Sequence, residues 1–132
     1  MYGLYENYDS IQKAGYVVVA ESEKSVLKRD SLGDGTVVAL SGKSISDEQV
    51  RILIGLNVEI VIALDNDVDI NEVRFICDKF KNIRKVSYIK DFMGILGEKD
   101  SPCDACNKDY QFLFESRVVY DRNEQRKYQE SL

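Results

Sequence analysis

The chain has 132 residues, a formal net charge of −5 and 44% apolar residues, which suits one acidic globular domain with a real core. It contains no histidine, which excludes Ser-His and Cys-His nucleophile pairs and most zinc-hydrolase sites. The three cysteines are an odd number and argue against a disulfide framework, no apolar stretch approaches the roughly 20 residues that span a bilayer, and the first residues do not form a signal peptide. A cytoplasmic protein with no membrane partner is the expectation.

A first helix is predicted near 5–14, burying Leu4, Tyr8 and Ile11, with Gly15 just past its end. The run Tyr16-Val-Val-Val-Ala20 follows as a strand, then a weaker helix over about 22–32. A second strand is predicted near 36–40, ending in Ser41-Gly42. Ser46 with Gln49 forms a capping box for the next helix, and Ile45 with Val50 a hydrophobic staple. The third apolar run, near 58–64, leads to Asp65-Asn66-Asp67. Asp69 with Glu72, and Val68 with Val73, repeat the start signal. Val73, Ile76, Cys77 and Phe80 then make one buried helix face.

A fourth strand is expected near 85–89, then a polar loop over 94–109 with the only proline, Pro102. A last helix near 108–119 would bury Tyr110, Leu113, Phe114 and Val118. Residues 1–120 read as a single domain, and the charged tail, 121–132, as frayed or solvated. The apolar runs are continuous rather than alternating, as in parallel strands covered on both faces. The fold class is therefore α/β: a mainly parallel four-stranded sheet flanked by helices.

In such a sheet the run ends share one edge, where α/β proteins place their sites. Glu21 ends the first run, and Asp65 and Asp67 leave the third. Carboxylates gathered there repel one another unless a cation or a shared proton intervenes. With oxygen donors only, the set should favour Mg²⁺ or Mn²⁺ over zinc. Lys43 could face a phosphate as a point charge or be a solvated lysine, and Lys24, Lys28 and Arg29 could form a basic rim beside Glu21 or be a solvated face. Gly42-Lys43-Ser44 is no P-loop, because the first glycine of that motif would fall at Val37. Cys103-Asp-Ala-Cys106 is a single CxxC without a second pair, which makes zinc improbable, and Cys77 reads as core.

The order of these motifs resembles the Toprim domain, a catalytic module of bacterial-type primases, topoisomerases and some nucleases. Glu21, Gly42 and Asp65-Asn66-Asp67 stand where that family has a Glu after its first strand, a Gly after its second and an Asp-x-Asp after its third. Tyr2-Gly3-Leu4, Glu21-Ser-Glu-Lys-Ser25, and Ala39-Leu-Ser-Gly42 with Gln49 resemble the primase branch in particular. Gly97-Glu-Lys-Asp-Ser-Pro102 resembles a later Gly-Lys-Asp-Pro motif, and implies Asp100 as an outlying acidic site residue. Ser22 replaces a family glycine. Pro102 stands where a further acid would fall, and Asp104 is the next carboxylate.

The resemblance implies a Toprim module of a primase-like protein that binds Mg²⁺ and nucleoside triphosphate for RNA primer synthesis in DNA replication. Glu21 would be general base or metal ligand, Asp65, Asp67 and Asp100 would serve the metal, and Gly42, Lys43 and Lys24 the substrate. Primases also use a zinc-binding module and a basic subdomain to hold template, and neither lies in these residues. The chain is therefore expected to engage single-stranded DNA only with the help of other domains, and not to make primers alone. A Toprim nuclease similar to ribosomal RNA maturases, and a degenerate Toprim that only binds nucleotide, are the alternatives.

Overall fold

A computed structural model of the chain describes residues 1–42, 44–97 and 100–132. Its elements run in the order α1 (Leu4–Ala14), β1 (Tyr16–Ala20), α2 (Glu23–Ser31), β2 (Val37–Ala39), α3 (Asp47–Gly55), β3 (Glu59–Ile62), α4 (Ile70–Asp78), β4 (Val86–Tyr88), α5 (Asn107–Glu115), β5 (Val118–Val119) and α6 (Arg122–Glu130). A short 3₁₀ turn, Pro102–Asp104, precedes α5. The sheet has five strands in the order β2-β1-β3-β4-β5. The first four strands are parallel, and β5 pairs antiparallel with β4.

The continuous apolar runs have the cause expected of them: both faces of the sheet are covered. Val17 and Val19 of β1 join Ile11, Leu53, Ile76 and Phe80 on one side. Val18 and Ala20 face the other way and join Val26, Cys103 and Leu113. Helix boundaries follow local chemistry. Gly15 takes a left-handed φ of 81° and donates its N–H to Ile11 O. Ser46 and Gln49 cap α3 reciprocally. The Asp69 side chain accepts from Asn71 N at 2.7 Å to start α4.

Three expectations are corrected. The sheet has a fifth strand, because α5 stops at Glu115 and Val118–Val119 pair with β4, which would otherwise be an open edge. Val118 thus belongs to a strand, although it falls on the periodicity of the preceding helix. The tail, expected to be frayed or solvated, is mostly exposed but helical. Asp121 caps α6, and the buried Glu124 carboxylate accepts from Tyr88 Oη at 2.7 Å and Arg74 Nε at 3.0 Å. Tyr8 is exposed rather than buried. Asn7 takes the inner position of α1 and donates to Val37 O at 3.0 Å, which satisfies a polar group on the core face.

Candidate active site at the carboxyl edge of the sheet

The ends of β1, β2 and β3 meet around Glu21. Its backbone carbonyl accepts from Ser41 N at 2.9 Å. Its side-chain Oε1 accepts from Asp65 N at 3.3 Å. One residue thereby ties together the three run ends, two of which carry the acids. Glu21 and Asp65 are half-buried and Asp67 is exposed. Burial raises the pKa of the Glu21 carboxyl, and the charge of Asp65 raises it further. Burial also raises Asp65, followed by the charges of Asp67 and Asp104. The carboxyls of Glu21 and Asp65 are near enough to share a hydrogen bond when one is protonated.

Such a pair is under electrostatic pressure that a cation relieves, and its donors are all oxygen, the chemistry that Mg²⁺ and Mn²⁺ prefer. Among the described residues, however, no three acidic or thiol side chains stand close enough together to enclose an ion. The expected convergence of Glu21, Asp65 and Asp67 thus reduces to a close pair with Asp67 at its rim. Two carboxylates suffice for Mg²⁺ when water and substrate phosphates complete the shell.

Beside the pair lies an open cavity of about 450 Å³ lined by Glu21, Ser22, Glu23, Lys24, Ser41 and Gly42. Lys24 and Gly42, expected as substrate contacts, line this cavity, and Lys43 lies outside the described residues. A Cβ added at Gly42 would meet nothing within 4 Å, so this glycine leaves open space beside the cavity rather than relieving a clash. Ser22 caps α2 in extended conformation without a side-chain bond to the helix. A larger cavity, of about 740 Å³, lies along α1 by Tyr5, Tyr8 and Asp9. It is lined by none of the clustered acids, whereas Glu21 lines the smaller hollow.

The later acids arrive differently from expectation. Asp100 accepts from Asn66 N through its backbone carbonyl at 2.9 Å, and its carboxylate turns to Gly97 N at 3.1 Å. Asp104, set by the Pro102–Asp104 turn, accepts from the buried Ser25 hydroxyl at 3.3 Å. Its charge acts on Asp65 more strongly than that of Asp100. The signal was the acid following Pro102, but only the 3₁₀ turn carries it back toward α2.

Arg29 is no part of a basic rim. It is buried, paired with Asp34 at 3.1 Å and stacked 3.6 Å over the Tyr110 ring. Cys77 and Cys103 are buried and Cys106 is exposed, and burial pushes the Cys103 thiol up to about 12, so the CxxC is not a reactive pair. Lys90, absent from the sequence-based site, donates to Asn66 O at 2.9 Å and Val68 O at 2.7 Å. Its signal was a lysine just past the fourth apolar run, on the edge the acids share.

No family model matches the chain. It is 29% identical over 144 residues to the SPbeta prophage-derived uncharacterized protein YorJ of Bacillus subtilis, covering 94% of this chain and 38% of that protein. The fold is similar to a DNA primase domain from Pseudomonas aeruginosa, with a TM-score of 0.69 and 18% identity over 89% of this chain and 38% of that one. It is likewise similar to the RNA polymerase domain of Mycobacterium tuberculosis primase, with a TM-score of 0.66 and 20% identity over 88% of this chain and 40% of that one. The Aquifex aeolicus primase zinc-binding and RNA polymerase domains match with a TM-score of 0.61 and 21% identity over 98% of this chain and 28% of that one. The chain thus spans between 28% and 40% of the length of these proteins. The architecture is primase-like, a mostly parallel five-stranded sheet flanked by helices.

Proposed function

We propose that this chain is the Toprim module of a primase-like protein, binding Mg²⁺ or Mn²⁺ and nucleoside triphosphate for RNA primer synthesis in DNA replication. The observation that carries this reading is the half-buried Glu21–Asp65 pair, with both carboxyls raised in pKa, at the carboxyl edge of a primase-like sheet. Glu21 and Asp65 would hold the ion, with Asp67 beside them. The bound ion would supply charge neutralisation at the phosphates of the triphosphate. Lys24 and Gly42 line the adjoining cavity, where a point charge and an unobstructed backbone suit a phosphate group. Lys43 is a further candidate phosphate contact. Glu21, which lines the adjoining cavity as Asp65 does not, is the better placed general base. Asp100 and Asp104 are the candidates for an outlying acid, and Asp104 acts more strongly on Asp65.

Mn²⁺ titration followed by electron paramagnetic resonance tests this reading. The wild-type chain should take up the ion, and Asp65→Ala should weaken uptake about tenfold or more while the folded spectrum persists. Adding nucleoside triphosphate should tighten Mn²⁺ uptake by the wild type. Identical titrations of wild type and variant would refute the site. Metal-dependent cleavage of RNA or DNA by the wild type, lost in Asp65→Ala, would put a nuclease in place of the primase reading.

A further inference from the structure

We infer that Lys90 is a positioning residue, an internal clamp that sets the aim of the acidic turn 65–68. The inference rests on the proposed metal site for its functional half, and on geometry alone for its structural half.

Lys90 follows the strand β4 that pairs in parallel with β3, in the register Ile62↔Tyr88. Ile89 N still bonds Ile62 O at 2.8 Å, so the two chains remain side by side as they leave the sheet. Beyond that point the β3 side turns. Val68 N bonds Asp65 O at 3.1 Å, which makes 65–68 a four-residue turn with Asp67 at its third position. The Lys90 ammonium donates to Asn66 O at 2.9 Å and to Val68 O at 2.7 Å. These carbonyls flank Asp67 on both sides. Asn66 O lies in the peptide plane just before Asp67, the plane just after it is held by Val68 N on Asp65 O, and Val68 O fixes the plane beyond, so that Lys90 and the turn bond together set the direction in which the Asp67 side chain leaves the backbone.

A half-buried ammonium beside several carboxylates would ordinarily be read as their counter-charge. Its bonded partners here are carbonyls, not carboxylates. The charges that act most on Glu21 and Asp65 are those of other acids, and Lys90 is not among them. Its work is therefore geometric. One cation holds two backbone acceptors that have no strand partner once the sheet has ended. Asp100 O supplies the matching constraint from the other side by accepting from Asn66 N at 2.9 Å.

The test uses the full chain. Lys90→Met keeps the stem and removes the ammonium. Lys90→Cys in a Cys106→Ser background, alkylated with 2-bromoethylamine, restores an ammonium at nearly the original length. Amide hydrogen exchange is measured on the metal-free proteins, and Mn²⁺ affinity by titration. In Lys90→Met the Asn66 and Val68 amides should exchange about tenfold faster, with Ile60–Ile62 unchanged as the control for intact fold. Mn²⁺ affinity should fall about tenfold. Aminoethylation should restore both, a recovery that generic loss of packing would not give. Unchanged exchange at Asn66 and Val68 would overturn the clamp. Faster exchange with undiminished Mn²⁺ affinity would overturn its role in aiming a ligand. If wild type takes up no Mn²⁺ while exchange still responds, the metal site fails and the clamp stands.

Discussion

Glu21 and Asp65 are held together by the fold at a cost to their own ionisation. Their folded-state pKa values lie above the ordinary carboxylate values, chiefly through burial, then through the charge of Asp65 on Glu21 and the charges of Asp67 and Asp104 on Asp65. The consequence for pH has a definite sign. A carboxyl raised in the folded state favours folding below its unfolded pKa, and that contribution is lost as pH rises through the folded value. The metal-free protein is thus penalised at neutral pH by this pair. Glu21→Gln, which removes one charge at nearly constant volume, should raise the melting temperature of the metal-free chain at pH 7 by about 2 °C. The gain should shrink at pH 4, because proton uptake by the raised carboxyls removes the repulsion. Saturating Mg²⁺ should reverse the order, because the wild type then has the tighter ligand. Thermal melts at the two pH values, with and without Mg²⁺, check all three signs. A Glu21→Gln variant less stable than wild type without metal would contradict the repulsion.

At the scale of elements, the C-terminal helix α6 is anchored by one carboxylate. Glu124 is buried and meets Tyr88 of β4, Arg74 of α4 and Lys127 of its own helix. These partners hold its pKa below the usual range against the opposing effect of burial. Here the sign is opposite to that at Glu21: the stabilisation is present above the unfolded pKa and is lost as pH falls through the folded one. Glu124→Ala leaves the Arg74 charge and the Tyr88 hydroxyl without their shared acceptor, and should cost about 3 kcal/mol in urea unfolding. A loss no larger than that of an exposed substitution such as Glu130→Ala would show that α6 is not held this way. Nothing local announced this helix as part of the domain. Its residues are almost all charged or polar, and its one buried side chain is a glutamate whose partners lie 50 and 36 residues away. The Ser46–Gln49 box on α3 was legible because both partners lie within one turn.

For the whole molecule, the net charge of −5 sets the expected relation to nucleic acid. Affinity for single strands depends on phosphate neutralisation by basic residues. Arg29, one of the cations expected beside the acids, is engaged inside the fold with Asp34 and Tyr110. Lys90 is likewise engaged with backbone carbonyls. The chain alone should bind single-stranded DNA weakly and should give little primer synthesis on such a template until a basic, template-holding part is supplied in trans. A primer-synthesis assay with Asp65→Ala as control measures this. Robust synthesis by the wild-type chain alone, abolished in that variant, would show that the domain holds template unaided.

What the sequence determined by itself was whatever depends on neighbours along the chain. Apolar runs long enough to be strands, buried on both sides, specified a parallel α/β sheet. Parallel order in turn put Glu21, Gly42 and Asp65 at one edge, because every strand of such a sheet ends on the same side. Tertiary structure alone decided the rest. Val118–Val119 became a strand because β4 offered an open edge. Asp104 rather than the Asp100 carboxylate turned toward α2, because the Pro102–Asp104 turn reverses the loop. Arg29 went inward and Lys90 became a clamp, because long cationic side chains bond whatever acceptors the fold brings within reach. Those acceptors come from segments distant in sequence, and their positions exist only once the chain has folded.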